Sequence, residues 1–153
     1  LGQYEAAIEA YTAAVGLNPR NDILHCNLGD AYQRVGRKQE AEAQFKSASD
    51  LLKEYLTTNP DDAESLSHLA ICEAKLQNKQ EAQASIEHAV ALEPNNTTLM
   101  YEQAVVYALT GEVKKAIECL DSALAHGYSR SEAERDPDLE TLRERPEYKV
   151  LLG

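Results

Sequence analysis

Small and large apolar positions recur along this chain at fixed intervals, separated by polar residues on a helical period. Ala7, Ala41, Ala82 and Ala116 lie 34, 41 and 34 residues apart. Ala14, Ala48, Ala89 and Ala123 keep the same intervals, and between the two series stand Tyr11, Phe45, Ile86 and Leu120, always large and apolar. On an α-helix, a residue four places after one alanine and three before the next shares their face. The pattern therefore predicts four amphipathic helices, each with one large side chain flanked by points where backbones approach closely.

A second set of helices is predicted upstream of these. Leu28-Gly29-x-x-Tyr32 and Leu69-Ala70-x-x-Glu73 each place a small residue after a large one, and Gln103-Ala104-x-x-Tyr107 keeps the small and aromatic members. Gly36 and Gly111 punctuate the turn that follows, with Gln77 in the equivalent place of the middle unit. Pro19, Pro60 and Pro94 come after the second helices, where proline is tolerated. The repeating unit reads as helix, tight turn, helix, turn.

These residues resemble the tetratricopeptide repeat, a 34-residue unit with a Leu-Gly, Tyr, Ala, aromatic, Ala, Pro pattern. The resemblance covers residues 1–128: a half unit at 1–21, then units at 22–62, 63–96 and 97–128. It departs from the family at His25 and Leu66, where tryptophan is frequent, at Glu73 in place of tyrosine, and at Tyr128 in place of the final proline. The resemblance implies an all-α fold, a right-handed superhelical α-solenoid of tandem helix-turn-helix repeats. It also implies a concave groove lined by the first helices, which in this family usually holds an extended or helical peptide.

By the repeat register, that groove takes Ile23, Cys26, Asn27, Asp30, Gln33 and Arg34 from the first full unit. The second contributes Glu64, Ser67, His68, Ile71 and Lys75, and the third Thr98, Tyr101, Glu102 and Val105. The family's variant that clamps the carboxylates of a chaperone tail uses lysine, asparagine and arginine at set places. Here Cys26, Asp30, His68, Thr98 and Glu102 occupy them, and two acids repel a carboxylate, so the clamp is not carried over. The apolar members and the acids together suit a protein or peptide segment with an apolar anchor and some positive charge. Tyr101 is the expected anchor, since aromatic residues dominate interface energetics.

Two stretches depart from the period. The unit at 22–62 carries seven extra residues, so its second helix is expected to run from Gln39 to Thr58. Seven residues slip the helical phase by only about 20°, so Leu51, Leu52, Tyr55 and Leu56 extend the apolar stripe. Either neighbouring helices or the tail cover that extension, or it is a partner or self-association surface. Residues 129–153 are expected to form a C-terminal helical cap of two short helical pieces, each opened by a proline, Pro137 and Pro146. Leu139, Leu142, Tyr148, Leu151 and Leu152 would pack on the last helix while Glu140, Arg143, Glu144 and Arg145 face water. This tail resembles the ending of repeat arrays in many bacterial proteins. Leu1-Gly2-Gln3-Tyr4 reads as the turn after a missing helix, so the chain is expected to be a piece of a longer polypeptide.

Composition narrows the function classes. Lys plus Arg number 15 and Asp plus Glu 26, giving a formal net charge of −11, so most of the surface would repel nucleic acid. The longest apolar runs fall far below the roughly 20 residues of a membrane span, and no partner membrane is expected. Cys26, Cys72 and Cys119 are odd in number and widely spaced, which reads as reduced thiols in a cytoplasmic protein. No nucleophile elbow, phosphate-binding glycine loop, His-Glu-x-x-His or paired-Cys zinc pattern appears, so neither catalysis nor a cofactor is expected. His25 and Cys26 with His68 and Cys72 form the one cluster with metal-ligand chemistry, but Cys72 falls on the core side of its helix, and no metal is expected. Asn95 and Asn96 head overlapping Asn-x-Thr sequons and read as turn residues.

The function expected from these residues is a non-enzymatic interaction or scaffold module that binds a protein segment. Two alternatives stand beside it: a homo-oligomerisation module built on the long helix and the open amino end, and a regulatory domain of an upstream enzyme such as a kinase or cyclase.

Overall fold

The computed structural model describes residues 2–152. Nine α-helices and one 3-10 helix account for the elements described: α1 (Gly2–Leu17), α2 (Asp22–Arg34), α3 (Lys38–Leu56), α4 (Ala63–Lys75) and α5 (Lys79–Leu92), then α6 (Thr97–Leu109), α7 (Val113–Ala125), α8 (Arg130–Arg135), the 3-10 helix (Pro137–Leu142) and α9 (Pro146–Leu152). No strand occurs among the described residues. The fold is all-α, built of consecutive helix-turn-helix repeats, and it divides into two compact units, Leu1–Pro60 and Asp61–Gly153.

Different local chemistry starts the two kinds of helix. Each first helix opens on a side-chain cap. Asn21 accepts from the Leu24 N–H at 3.0 Å, Asp62 from Ser65 at 2.8 Å, and Asn96 from Thr98 and Leu99 at 3.0 and 3.3 Å. Such a cap satisfies amides that no helical carbonyl can reach and contributes about 1 kcal/mol. The second helices α3, α5 and α7 have no side-chain cap bond. Instead, the tight turn before each is shaped by a left-handed residue: Gly36 at φ 79°, Gln77 at 64° and Gly111 at 81°. The amide after each reaches back across the turn, Arg37 to the Tyr32 carbonyl, Asn78 to Glu73 and Glu112 to Tyr107, at 2.8–2.9 Å. These bonds close the C-terminus of the first helix and set the second antiparallel to it.

Within the first unit, Ile8, Leu28 and Ala31 form a core flanked by Tyr11, Val15, Tyr32 and Val35. At Gly29, α2 lies close against α3: a Cβ there would lie 2.6 Å from Phe45 Cε1. The small residue of α2 thus meets the large residue of α3 in a direct contact between backbone and ring. In the second unit Ala82, Ile86 and Ala89 of α5 and Ala116, Leu120 and Ala123 of α7 are fully buried. The alanines let the helix axes approach, and the large residue between them fills the space that remains.

The closing segment has one more element than its two prolines announce. Ser129 caps a short helix, α8, by accepting from the Glu132 amide at 3.4 Å. Asp136 then caps the 3-10 helix through the Asp138 amide at 2.8 Å, with Pro137 at its first turn. Leu139, Leu142, Tyr148 and Ala133 join the core of α6 and α7, with Leu151 and Leu152 partly buried against it. Glu140, Glu144 and Arg145 face water as expected. Arg143 does not: its Nη2 donates inward to the carbonyls of Glu134 and Asp136 at 3.3 and 3.2 Å.

Candidate functional site

The first helices carry the residues that the repeat register assigns to a binding face, and each unit presents its own share. On α2 of the first unit, Ile23 is 50% exposed, Gln33 and Arg34 are exposed, and Cys26, Asn27 and Asp30 are half-buried. In the second unit, α4 and α6 pack side by side. On the face they share, Glu64 and Thr98 are exposed and His68, Ile71 and Glu102 half-buried.

Glu102 is the electrostatic centre of these residues. Burial pushes its carboxyl above the usual carboxylate range, the Ser67 side chain and the His68 ring pull it back, and Glu64 pushes it further up. Ser67 itself is buried, its hydroxyl donating to the Glu64 carbonyl at 3.0 Å. A half-buried carboxyl beside another acid is poorly solvated, so a cation brought to it would gain more than at a free surface.

Another part of the same face is closed. Tyr101, expected to stand free as an anchor, is only 5% exposed. Its ring stacks on Tyr128 with centroids 3.9 Å apart and planes 7° from parallel. Its hydroxyl donates to Asp136 Oδ2 at 2.6 Å, the carboxylate whose other oxygen caps the 3-10 helix. Burial and the facing carboxylate hold the Tyr101 hydroxyl far above its ordinary pKa. Lys75 is likewise covered: its Nζ lies 3.0 Å from Asp138 Oδ2. Val105 is buried in the same core. Tyr101, Val105 and Lys75 are thus occupied by the chain's own closing segment. Sequence reasoning missed Tyr128, Asp136 and Asp138 because the tail breaks the period that places every other residue. The signal available was Asp136-Pro137-Asp138, a pair of acids framing a helix start.

The extended second helix ends at Leu56, two residues short of the expected Thr58. Leu52 is packed into the core at 4% exposure. Leu51 and Leu56 are half-buried, and Tyr55 is 47% exposed. The stripe is therefore mostly covered, with Tyr55 the part that reaches solvent.

His25 occupies the position where the family often has tryptophan. It is buried, with Nδ1 2.7 Å from Gln44 Oε1 and Nε2 3.0 Å from the Pro19 carbonyl oxygen. Its ring thus fixes the entry of α2 against α3. Cys26, Cys72 and Cys119 form no disulfide among the described residues, and burial pushes the Cys119 thiol up to about 11. Among the described residues no three of His, Cys, Asp and Glu come together as metal ligands. No helix among them is long and apolar enough to cross a membrane.

Paired helices joined by tight turns that each hold one left-handed residue, with buried alanines repeated along the second helices, define a helical-repeat protein. The chain belongs to the tetratricopeptide repeat family: a TPR repeat profile matches residues 1–36, and tetratricopeptide repeat profiles match residues 19–93 and 74–131. Human RNA polymerase II-associated protein 3 is 28% identical over 121 residues, 79% of this chain and 16% of that protein. The Caenorhabditis elegans protein O-mannosyl-transferase F38B6.6 is 42% identical over 43 residues, 28% of this chain and 6% of that protein. The chain therefore spans a small part of the length of either relative. Among solved structures it resembles TTC0263, a thermophilic TPR protein of Thermus thermophilus, with a TM-score of 0.58 at 24% identity. That alignment covers 100% of this chain and 75% of the other.

Proposed function

We propose that this chain is a non-enzymatic protein-interaction module that binds a basic, partly apolar peptide segment on the open part of the α4–α6 face, around Glu64, Ile71 and Glu102. The observation that carries this reading is the poorly solvated Glu102 carboxyl, with Glu64 beside it and half-buried Ile71 on the same face. A Lys or Arg of the partner would compensate the acids, and an aliphatic side chain beside it would cover Ile71. The corresponding cation of the chain, Lys75, is already engaged by Asp138, which leaves the open part of the face acidic. Three cysteines outside any disulfide suit a reducing, cytoplasmic setting.

An array of immobilised dodecapeptides that varies charge and apolar content tests this. Binding is expected to concentrate on peptides that pair Lys or Arg with an aliphatic residue. It should be lost in the Ile71→Lys, Glu102→Lys double variant while the far-UV circular dichroism stays unchanged. A preference for acidic peptides, or an unaltered profile in the double variant, would overturn the reading.

A further inference from the structure

The second helix of the first unit outruns its counterparts: α3 has 19 residues, α5 14 and α7 13. With Ala41 set against Ala82, α5 ends opposite Leu51, so residues 52–56 overhang and reach about 7 Å further. Leu52 turns into the core, whereas Glu54 is exposed and Tyr55 is 47% exposed.

The loop between α1 and α2 lies against that overhang. Arg20 Nη2 donates to Glu54 Oε1 at 2.8 Å. The His25 ring, set between the Pro19 carbonyl and Gln44, ties the same loop to the body of α3, and Gln44, Leu51 and Tyr55 share one face of that helix by its period. Leu17, at the end of α1, is 89% exposed. One large apolar side chain thus stands close in sequence to each partner of an exposed ion pair.

The local charge points to what this edge meets. Residues 17–23 and 46–56 hold three cations, Arg20, Lys46 and Lys53, and three acids, Asp22, Asp50 and Glu54. The net charge of −11 therefore arises wholly outside them. Two copies that meet through an acidic surface repel each other, and this edge is neutral. An ion pair open to water contributes little within one chain, because water competes for both charges. Arg20 and Glu54, with side chains 69% and 63% exposed, can therefore exchange partners across a two-fold axis at almost no cost. A cation and an acid side by side are self-complementary, as an interface between identical copies requires.

We propose that this edge is a homodimer interface occupied by a second copy of the chain, with Arg20 of each copy paired to Glu54 of the other and Leu17 and Tyr55 buried between them. All of these residues belong to the first unit, whereas α4 and α6 belong to the second.

Sedimentation equilibrium of the whole 153-residue chain, across the micromolar to millimolar range, is expected to show a monomer–dimer equilibrium. Arg20→Glu or Glu54→Arg alone sets like charges across the axis at both contacts and should leave a monomer. An equimolar mixture of these two variants should dimerise again, because each then meets the opposite charge on the other. The Arg20→Glu, Glu54→Arg double variant should dimerise on its own for the same reason. Tyr55→Ser should weaken the parent dimer by at least about tenfold. A parent that stays monomeric throughout would overturn the proposal and leave the edge to a different protein. Dimers that survive either single reversal, a mixture that stays monomeric, or a Tyr55→Ser dimer as tight as the parent would overturn it too.

Discussion

Lys75 Nζ sits 3.0 Å from Asp138 Oδ2, with side chains 5% and 19% exposed. The pair joins the end of α4 to the 3-10 helix of the closing segment. Each charge has left water because the other is there, so removing one strands its partner. Lys75→Met is expected to lower stability by about 2–4 kcal/mol, toward the low side for buried pairs because Asp138 keeps some solvent. Lys75→Met with Asp138→Leu should recover most of that loss. Urea denaturation of both variants checks it, and a double variant as unstable as the single one would contradict it.

Tyr101 is expected to behave as a core residue. Tyr101→Ala removes its stack on Tyr128 and its bond to Asp136, and should cost about 3–5 kcal/mol. Tyr101→Phe keeps the stack and loses the charge-assisted bond, at about 1.5–3 kcal/mol. Thermal melting of the two variants in parallel separates these contributions.

The same substitution at two glycines should have opposite signs. At Gly29 an added methyl would meet the Phe45 ring at 2.6 Å, and overpacking of this kind costs about 1–3 kcal/mol. At Gly16, in the last turn of α1, nothing lies within 4 Å, so alanine there should stabilise by up to about 1 kcal/mol through helix propensity. Midpoints of chemical denaturation for Gly29→Ala and Gly16→Ala decide both.

Gln77 adopts φ 64° where the other two turns use glycine. A side chain costs about 1–2 kcal/mol in that conformation, offset in part by the bond from Gln77 Nε2 to the Ala74 carbonyl at 3.2 Å. Gln77→Gly is expected to raise stability by about 0.5–1 kcal/mol, a gain readable as a higher melting temperature.

Burial holds the Glu102 carboxyl above its ordinary range, so the folded chain binds that proton more tightly than the unfolded chain does. The resulting stabilisation is fully present below the unfolded pKa and is lost as pH rises through the raised folded value. At neutral pH the charge therefore opposes folding. Glu102→Gln should be more stable than the parent at pH 7, with the difference vanishing by about pH 4. Equal stability at both pH values would count against it.

Periodicity explains what could be read before the structure. Ala41, Ala82, Ala116, Phe45, Ile86 and Leu120 are all buried because a helix face repeats wherever the sequence does. Gln77 was legible as a turn from its equivalence to Gly36 and Gly111. The binding face was legible only in part. A register assigns Tyr101, Val105 and Lys75 to the first-helix face, but it carries no information on where an aperiodic tail will lie. Tyr128 and the two acids of the tail close that part of the face through contacts between residues far apart in sequence. Arg143 was misplaced for a related reason: its charge suggests water, while its Nη2 finds two carbonyls.

The closing segment also bears on the order of folding. Most helix contacts in this chain join neighbours in sequence, and local contacts form quickly because they close short loops. The bond between Tyr101 and Asp136 spans 35 residues, so it can form only after α6 and α7 have paired. Interactions absent from the transition state act mainly on the escape from the native state. The tail is thus a brake on unfolding rather than a nucleus. Loosening it through Tyr101→Phe should leave the refolding rate nearly unchanged and speed the opening of the last repeat.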